Sequence, residues 1–183
     1  MHILAIANAD GLEVGKLLLR LMVGVTLIAH GYNHIWGGGK IQGTAGWFAS
    51  LGLKPGIVHA WLASLTELVC GALLIVGLLN PLGAAGCVGV MVVALITNHF
   101  KNGFFIFRPG EGYEYVLNLA VAGLALGALG AGRYSLDGAL WDAGDTLYLY
   151  GFKGLAVTTI GGIGGALLLL AVFWRPERKA AAT

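Results

Sequence analysis

The sequence predicts an all-α protein, a polytopic membrane helix bundle, on three observations. Hydrophobic residues make up 57% of the chain and charged ones 11%, with a mean hydropathy of +0.81. A soluble domain of 183 residues could not hide that much apolar surface in one core. Five stretches approach the roughly 20 apolar residues needed to cross about 30 Å of hydrocarbon. Glycine occurs 31 times, in places at the small-xxx-small spacing that lets helix backbones approach closely in lipid.

Taken in order, an N-terminal tail over 1–12 precedes helices near 13–35, 57–79, 82–101, 114–131 and 152–174. The start has no basic n-region or A-x-A cleavage site, so the first spanning helix is expected to direct insertion. "GGGK" at 37–40 lacks the spacing and the following Ser/Thr of a phosphate loop, and reads as a glycine break ending the first helix. Next, "GTAGWFASLGLKPG" places Trp47, Phe48 and Leu51 on one side of a short interfacial or re-entrant turn. Only "NPLG" separates the second and third helices, which therefore form an antiparallel hairpin. An acidic and aromatic loop over 138–151 suits the headgroup level, and a basic tail covers 175–183. The glycine pairs Gly123/Gly127 and Gly161/Gly165 are read as packing inside one bundle in preference to dimerisation.

Lys40, Lys54, Lys101, Arg108, Arg175, Arg178 and Lys179 fall on one side of five spans, against Lys16, Arg133 and Lys153 on the other. The positive-inside rule then puts the C-terminus in the cytoplasm and the N-terminus outside a bacterial plasma membrane. Asp10, Glu13, Asp137, Asp142 and Asp145 lie on the outer side without conflict. A net charge of +2 with no basic run excludes a nucleic-acid footprint. Cys70 and Cys87 sit in apolar runs without CxxC spacing and read as buried thiols.

Ionisable side chains inside a span cost roughly 2.5–3.5 kcal/mol at its centre, so they face the bundle interior and often mark function. Arg20 lies in the first helix and Glu67 in the second. Counted at ~1.5 Å per residue from their shared end, they sit near 22 and 15 Å, a gap a long arginine bridges as an ion pair. His30 could instead contact Glu67. Asn98 and His99 close the third helix, while Glu111, Tyr113, Glu114, Tyr115 and Asn118 open the fourth. Alternating helix direction thus gathers His30, His34, His59, Glu67, His99 and Glu114 at one end of the bundle.

Three chemistries suit such a cluster. A quinone headgroup needs donors to its carbonyls and a proton route inside an apolar slot, which His, Glu and Tyr at the hydrocarbon edge supply. Metal is disfavoured because the histidines lack flanking acids or an E-x-x-H run. Bis-histidine haem ligation has only His30 and His99 as a pair and is disfavoured too. For His34 and His59 the plain alternative is a polar anchor at the interface.

The segments "LLLRLMVGVTLIAHGYNHIWGGG", "GTAGWFASLGLKPG", "LTELVCGALLIVGLLNPLGA", "NHFKNGFF", "EYVLNLA" and "GAGRYSLD" resemble, in order and spacing, the DoxX family of small membrane proteins. The resemblance covers about residues 13–137 and implies a four-helix membrane core, with the fifth helix as an extension. It departs at His34, where many members carry lysine. By position it carries over Arg20, His30, Glu67, His99 and Glu114 as recurring polar residues. It also implies a subunit of a thiosulfate:quinone oxidoreductase or of an oxidoreductase complex in thiol and oxidative-stress defence.

The expectation is therefore an integral membrane subunit of a quinone-linked redox complex, with Arg20, His30, His34, Glu67, His99, Glu114 and Tyr115 as candidate ligand-binding residues. The chain has no flavin, iron–sulfur or c-haem motif, so a partner subunit must deliver electrons. An accessory or assembly subunit of a larger complex, a small-solute transporter and a homo-oligomer are the competing arrangements.

Overall fold

The computed structural model describes residues 2–141 and 145–176, with side chains from Asp10 onward. Asp142 and most of the basic tail, including Arg178 and Lys179, lie outside the described residues. Among the described residues eight α-helices form: α1 (His2–Trp36), α2 (Lys40–Ser50), α3 (Gly56–Val76), α4 (Asn80–Ala94), α5 (Glu114–Leu129), α6 (Leu136–Leu140), α7 (Gly151–Thr159) and α8 (Gly165–Phe173). A π-helical turn at Leu95–His99 and a 3-10 turn at Phe100–Asn102 prolong α4, and a second π-turn at Ile160–Gly164 joins α7 to α8. Among the described residues no β-strand forms, and the protein is an all-α membrane helix bundle.

Helices dominate because lipid offers no partner for a free N–H or C=O, and a helix satisfies both within one segment. Gly56–Val76, Asn80–Asn102 and Gly151–Phe173 are long and apolar enough to cross a bilayer, while α5 is a shorter apolar helix of 16 residues. α1 is a 35-residue helix, so the tail expected over 1–12 is helical from His2. Helices occupy all five expected stretches, and three of them meet the length and hydropathy of a membrane span.

The passes alternate in direction. At one end, Arg133 pairs with Asp10 at 2.6 Å and its backbone N–H donates to Glu13 at 2.6 Å, joining the chain after α5 to the first pass. At the other end, Arg175 N–H donates to the Gly52 carbonyl at 2.7 Å and Trp174 Nε1 to the Leu51 carbonyl at 2.9 Å. The last helix is thereby clasped to the α2–α3 connection. α7 and the π-turn after it pack on α4 and α5, so the fifth pass is an integral wall of the bundle.

α1 packs chiefly on α3, and glycines set the register. A Cβ on Gly24 would come within 2.8 Å of the Gly71 carbonyl, and one on Gly31 within 2.8 Å of the Ser64 carbonyl. The bare backbones touch at both places, which fixes Gly24 beside Gly71 and Gly31 beside Ser64. Gly123 likewise meets Val88 of α4, as expected for packing inside one bundle, whereas a Cβ on Gly165 would meet nothing within 4 Å.

The α3–α4 hairpin is tighter than "NPLG" suggests. α3 stops at Gly77, whose φ of 68° is the left-handed conformation that ends helices at little steric cost. Asn80 and Pro81 already lie in the first turn of α4, where proline has no N–H to waste. Leu79 reaches φ 49° without glycine's freedom, and Asp137 braces it, accepting from Leu79 N–H at 2.7 Å and Asn80 N–H at 2.9 Å. Cys87 is fully buried, whereas Cys70 is half-buried.

Candidate functional site

The bundle carries charged groups at both ends, and the structure divides the seven candidate residues between them. Arg20, fully buried, does not pair with Glu67. Its guanidinium donates to the carbonyls of Leu74 at 3.1 Å, Ile75 at 3.5 Å and Tyr134 at 2.5 Å. Leu74 and Ile75 lie in the last turn of α3, where carbonyls have no helical partner and the helix dipole favours a cation. Arg20 is thus a cap on α3, with the carboxylate of Asp137, a residue of α6, nearby. The expected ion pair fails on register. With Gly24 beside Gly71 and Gly31 beside Ser64, Arg20 falls level with Ile75 and Glu67 level with Ile28. Eight residues of helix then separate them, about 12 Å along the axis.

Glu67 is held at the other end. It is 2% exposed, and its Oε2 lies 3.0 Å from His34 Nδ1. The two atoms are at ion-pair distance but not aligned for a hydrogen bond, and neither has another hydrogen-bond partner. His34 packs edge-on against His30 and against Phe48 of α2. Thr44 Oγ1 donates to the His34 carbonyl at 2.9 Å, tying α2 back over the end of α1. His30 Nε2 lies 3.3 Å from the Tyr115 hydroxyl, and the two rings stack with centroids 6.0 Å apart.

These residues border a cavity of about 480 Å³. Its polar end holds His30, His34, Glu67, His99 and Tyr115 of the expected set, joined by His59, Asn98 and Glu111. The apolar part runs from Leu62 and Ala63 of α3 down α4 as far as Ala85, with Trp47 and Phe48 of α2 at the polar end. Both π-turns border it, the first with Thr97, Asn98 and His99, the second with Gly161 and Gly162. A π-turn widens a helix locally, and the glycines there add no side chain, so space remains where helices would otherwise close.

The residues of the polar end are not equally free to bind. His99 Nδ1–H donates to the Glu111 carbonyl at 2.9 Å, and its Nε2 accepts from the Asn98 amide at 3.3 Å. That is the tautomer which satisfies both contacts. His59 is 3% exposed, packs edge-on against Phe173 and leaves Nε2 without a hydrogen-bond partner.

Glu114 is not at the cavity. Its Oε2 accepts from Ile106 N–H at 3.3 Å, so it braces the 103–113 loop. Both Arg20 and Glu114 therefore leave the candidate site, because each spends its charge on backbone groups. Sequence reading missed Asp137 as the partner of the α3–α4 turn. The one available hint was an acid two residues after a serine, the start of a short capped helix, and Ser135 does accept from Gly138 N–H at 2.9 Å.

The protein named "Putative oxidoreductase CatD" from Bacillus subtilis (strain 168) is 31% identical over 114 residues, which cover 62% of this chain and 79% of that protein. No solved structure matches. The model of the DoxX family matches residues 15–100, a span that includes Arg20, His30, His34, Glu67 and His99 and leaves Tyr115 and the fifth pass beyond it. Sequence and bundle together place the chain in the DoxX family of membrane proteins.

Proposed function

We propose that the protein is the membrane subunit of a quinone-linked oxidoreductase complex, holding a quinone headgroup at the polar end of the cavity. The observation that carries this reading is one pocket of about 480 Å³ joining a long apolar wall to imidazole, phenol and carboxylate groups. Its volume suits a small organic ligand, and its few convergent polar groups can fix a ring's orientation. Tyr115 and His30 supply donors to the quinone carbonyls, and the His34–Glu67 pair lies beside them. Reduction of a quinone takes two electrons and two protons. The protons come through these side chains, and the electrons come from a partner subunit, since the sequence holds no motif for an electron carrier. The name of the Bacillus relative supports a redox setting.

The same reading puts the protein in a bacterial plasma membrane with the cavity end facing the cytoplasm. Lys40, Lys54, Lys101, Arg108 and Arg175 all belong to that end. Reporter fusions at either terminus test the orientation, and activity of a periplasmic reporter at the C-terminus would reverse it.

Titration of the purified chain in nanodiscs with a short-chain ubiquinone and a short-chain menaquinone tests the site. Saturable binding is expected, weakened at least about tenfold in His30→Ala and Glu67→Gln. Binding equal in wild type and both variants would refute the assignment. A stoichiometric partner copurifying without quinone affinity would favour an assembly subunit, and solute uptake by proteoliposomes would favour a transporter.

A further inference from the structure

The His30–His34–Glu67 cluster has the composition of a metal-binding set. His30 and His34 stand four residues apart, on one face of α1, the spacing by which two imidazoles of a helix reach a common ion. The sequence offers no acid nearby to complete such a set. The tertiary structure supplies one from another helix. Gly31 lies between the two histidines, and a Cβ there would come within 3.1 Å of Glu67 Cβ and 2.8 Å of the Ser64 carbonyl. The missing side chain lets α3 lie against α1 and sets Glu67 beside the two rings.

We propose that His30, His34 and Glu67 bind a first-row divalent transition-metal cation at the polar end of the cavity. One ligand atom from each residue lies within 4.8 Å of the others. Ligand atoms about 2.1 Å from a shared ion stand about 3.0–3.4 Å apart at octahedral or tetrahedral angles, and the 3.0 Å between Glu67 Oε2 and His34 Nδ1 meets that. His30, exposed along the cavity, completes the set by a side-chain rotation.

Two further observations point to a cation. Glu67 is 2% exposed and its Oε2 has no hydrogen-bond partner, a costly state for a carboxylate unless positive charge faces it. Arg20, the buried cation expected to supply that charge, is bound to carbonyls at the other end of the bundle. His34 Nδ1 is likewise buried without a directed partner, 3.0 Å from that oxygen. Two imidazoles and one carboxylate suit zinc, iron(II), manganese or cobalt, whereas calcium and magnesium favour oxygen ligands. The Tyr115 hydroxyl at 3.3 Å from His30 Nε2 is placed to orient that ring from outside the set.

The test uses the full chain without an affinity tag, stripped with a chelator and titrated with Co²⁺ in nanodiscs. One equivalent is expected to bind with visible d–d bands, and Zn²⁺ is expected to displace it. Glu67→Gln and His34→Gln should each weaken binding at least about tenfold and alter the bands. His30→Ala, at an exposed position, carries the test if the buried variants fail to fold. Unchanged Co²⁺ affinity in the folded variants, or no saturable binding by wild type, would overturn the site. The readout is metal content and absorption, so it stands whether or not a quinone binds.

Discussion

The two ends of the bundle treat buried charge in opposite ways. At one end, Arg20 and Asp137 bond to backbone, the cation to the carbonyls of Leu74 and Ile75 at the end of α3 and of Tyr134 after α5, the anion to two N–H groups of the α3–α4 turn. At the other, Glu67 and His34 face each other with unsatisfied atoms beside a cavity. A buried ion whose charge is engaged by backbone groups is a structural clamp, even though Arg20 Nε itself is left without a partner. A buried pair with no backbone partner at the facing atoms keeps capacity for a ligand, and the fold bears its cost.

Breaking the clamp should have the largest effect. Arg20→Met leaves α3's last carbonyls and Asp137 uncompensated, and Asp137→Ala strips Leu79 and Asn80 of their acceptor. Each is expected to cost about 3–5 kcal/mol, seen as a large fall in melting temperature in detergent. Ligand affinity of whatever fraction remains folded should be unchanged. A stable Arg20→Met protein that has lost quinone or Co²⁺ binding would erase the distinction between the ends.

A second variant acts on the distance between the two kinds of charge. Gly31→Val forces α1 and α3 apart where the backbones touch, at an expected cost of about 1–3 kcal/mol. It should also separate His34 from Glu67, so binding falls while the clamp persists. Wild-type affinity in Gly31→Val would mean that the close approach does not set the site.

The smallest effect is expected at His59. Its ring packs on Phe173 and its Nε2 has no partner, so His59→Phe removes an unsatisfied polar atom and keeps the packing. Stability should stay within about 1 kcal/mol of wild type, or rise. A large loss would show that the nitrogen is engaged.

Much of this was legible in advance. The spans stood out from hydropathy, and alternating direction was enough to collect His30, His34, Glu67, His99 and Tyr115 at one end. The short segment with Trp47 and Phe48 read as a helical turn, which proves to be α2 and borders the cavity. The partners of Arg20 and Glu67 were not legible. Pairing them needed the depth of each residue, and counting from approximate helix ends misplaced the register by a few residues, enough to exchange a carboxylate for a row of carbonyls. Glu114 misled for a related reason, since sequence does not reveal whether a carboxylate at a helix start turns to the bundle or to its own loop.

By itself the sequence determined that the chain folds as membrane helices and which polar residues share an end, because hydrophobicity and alternation are properties of each segment alone. The tertiary structure decided which charges are consumed and which stay open. That choice depends on how closely two backbones approach, and the glycines that permit it act only once α1 and α3 are side by side.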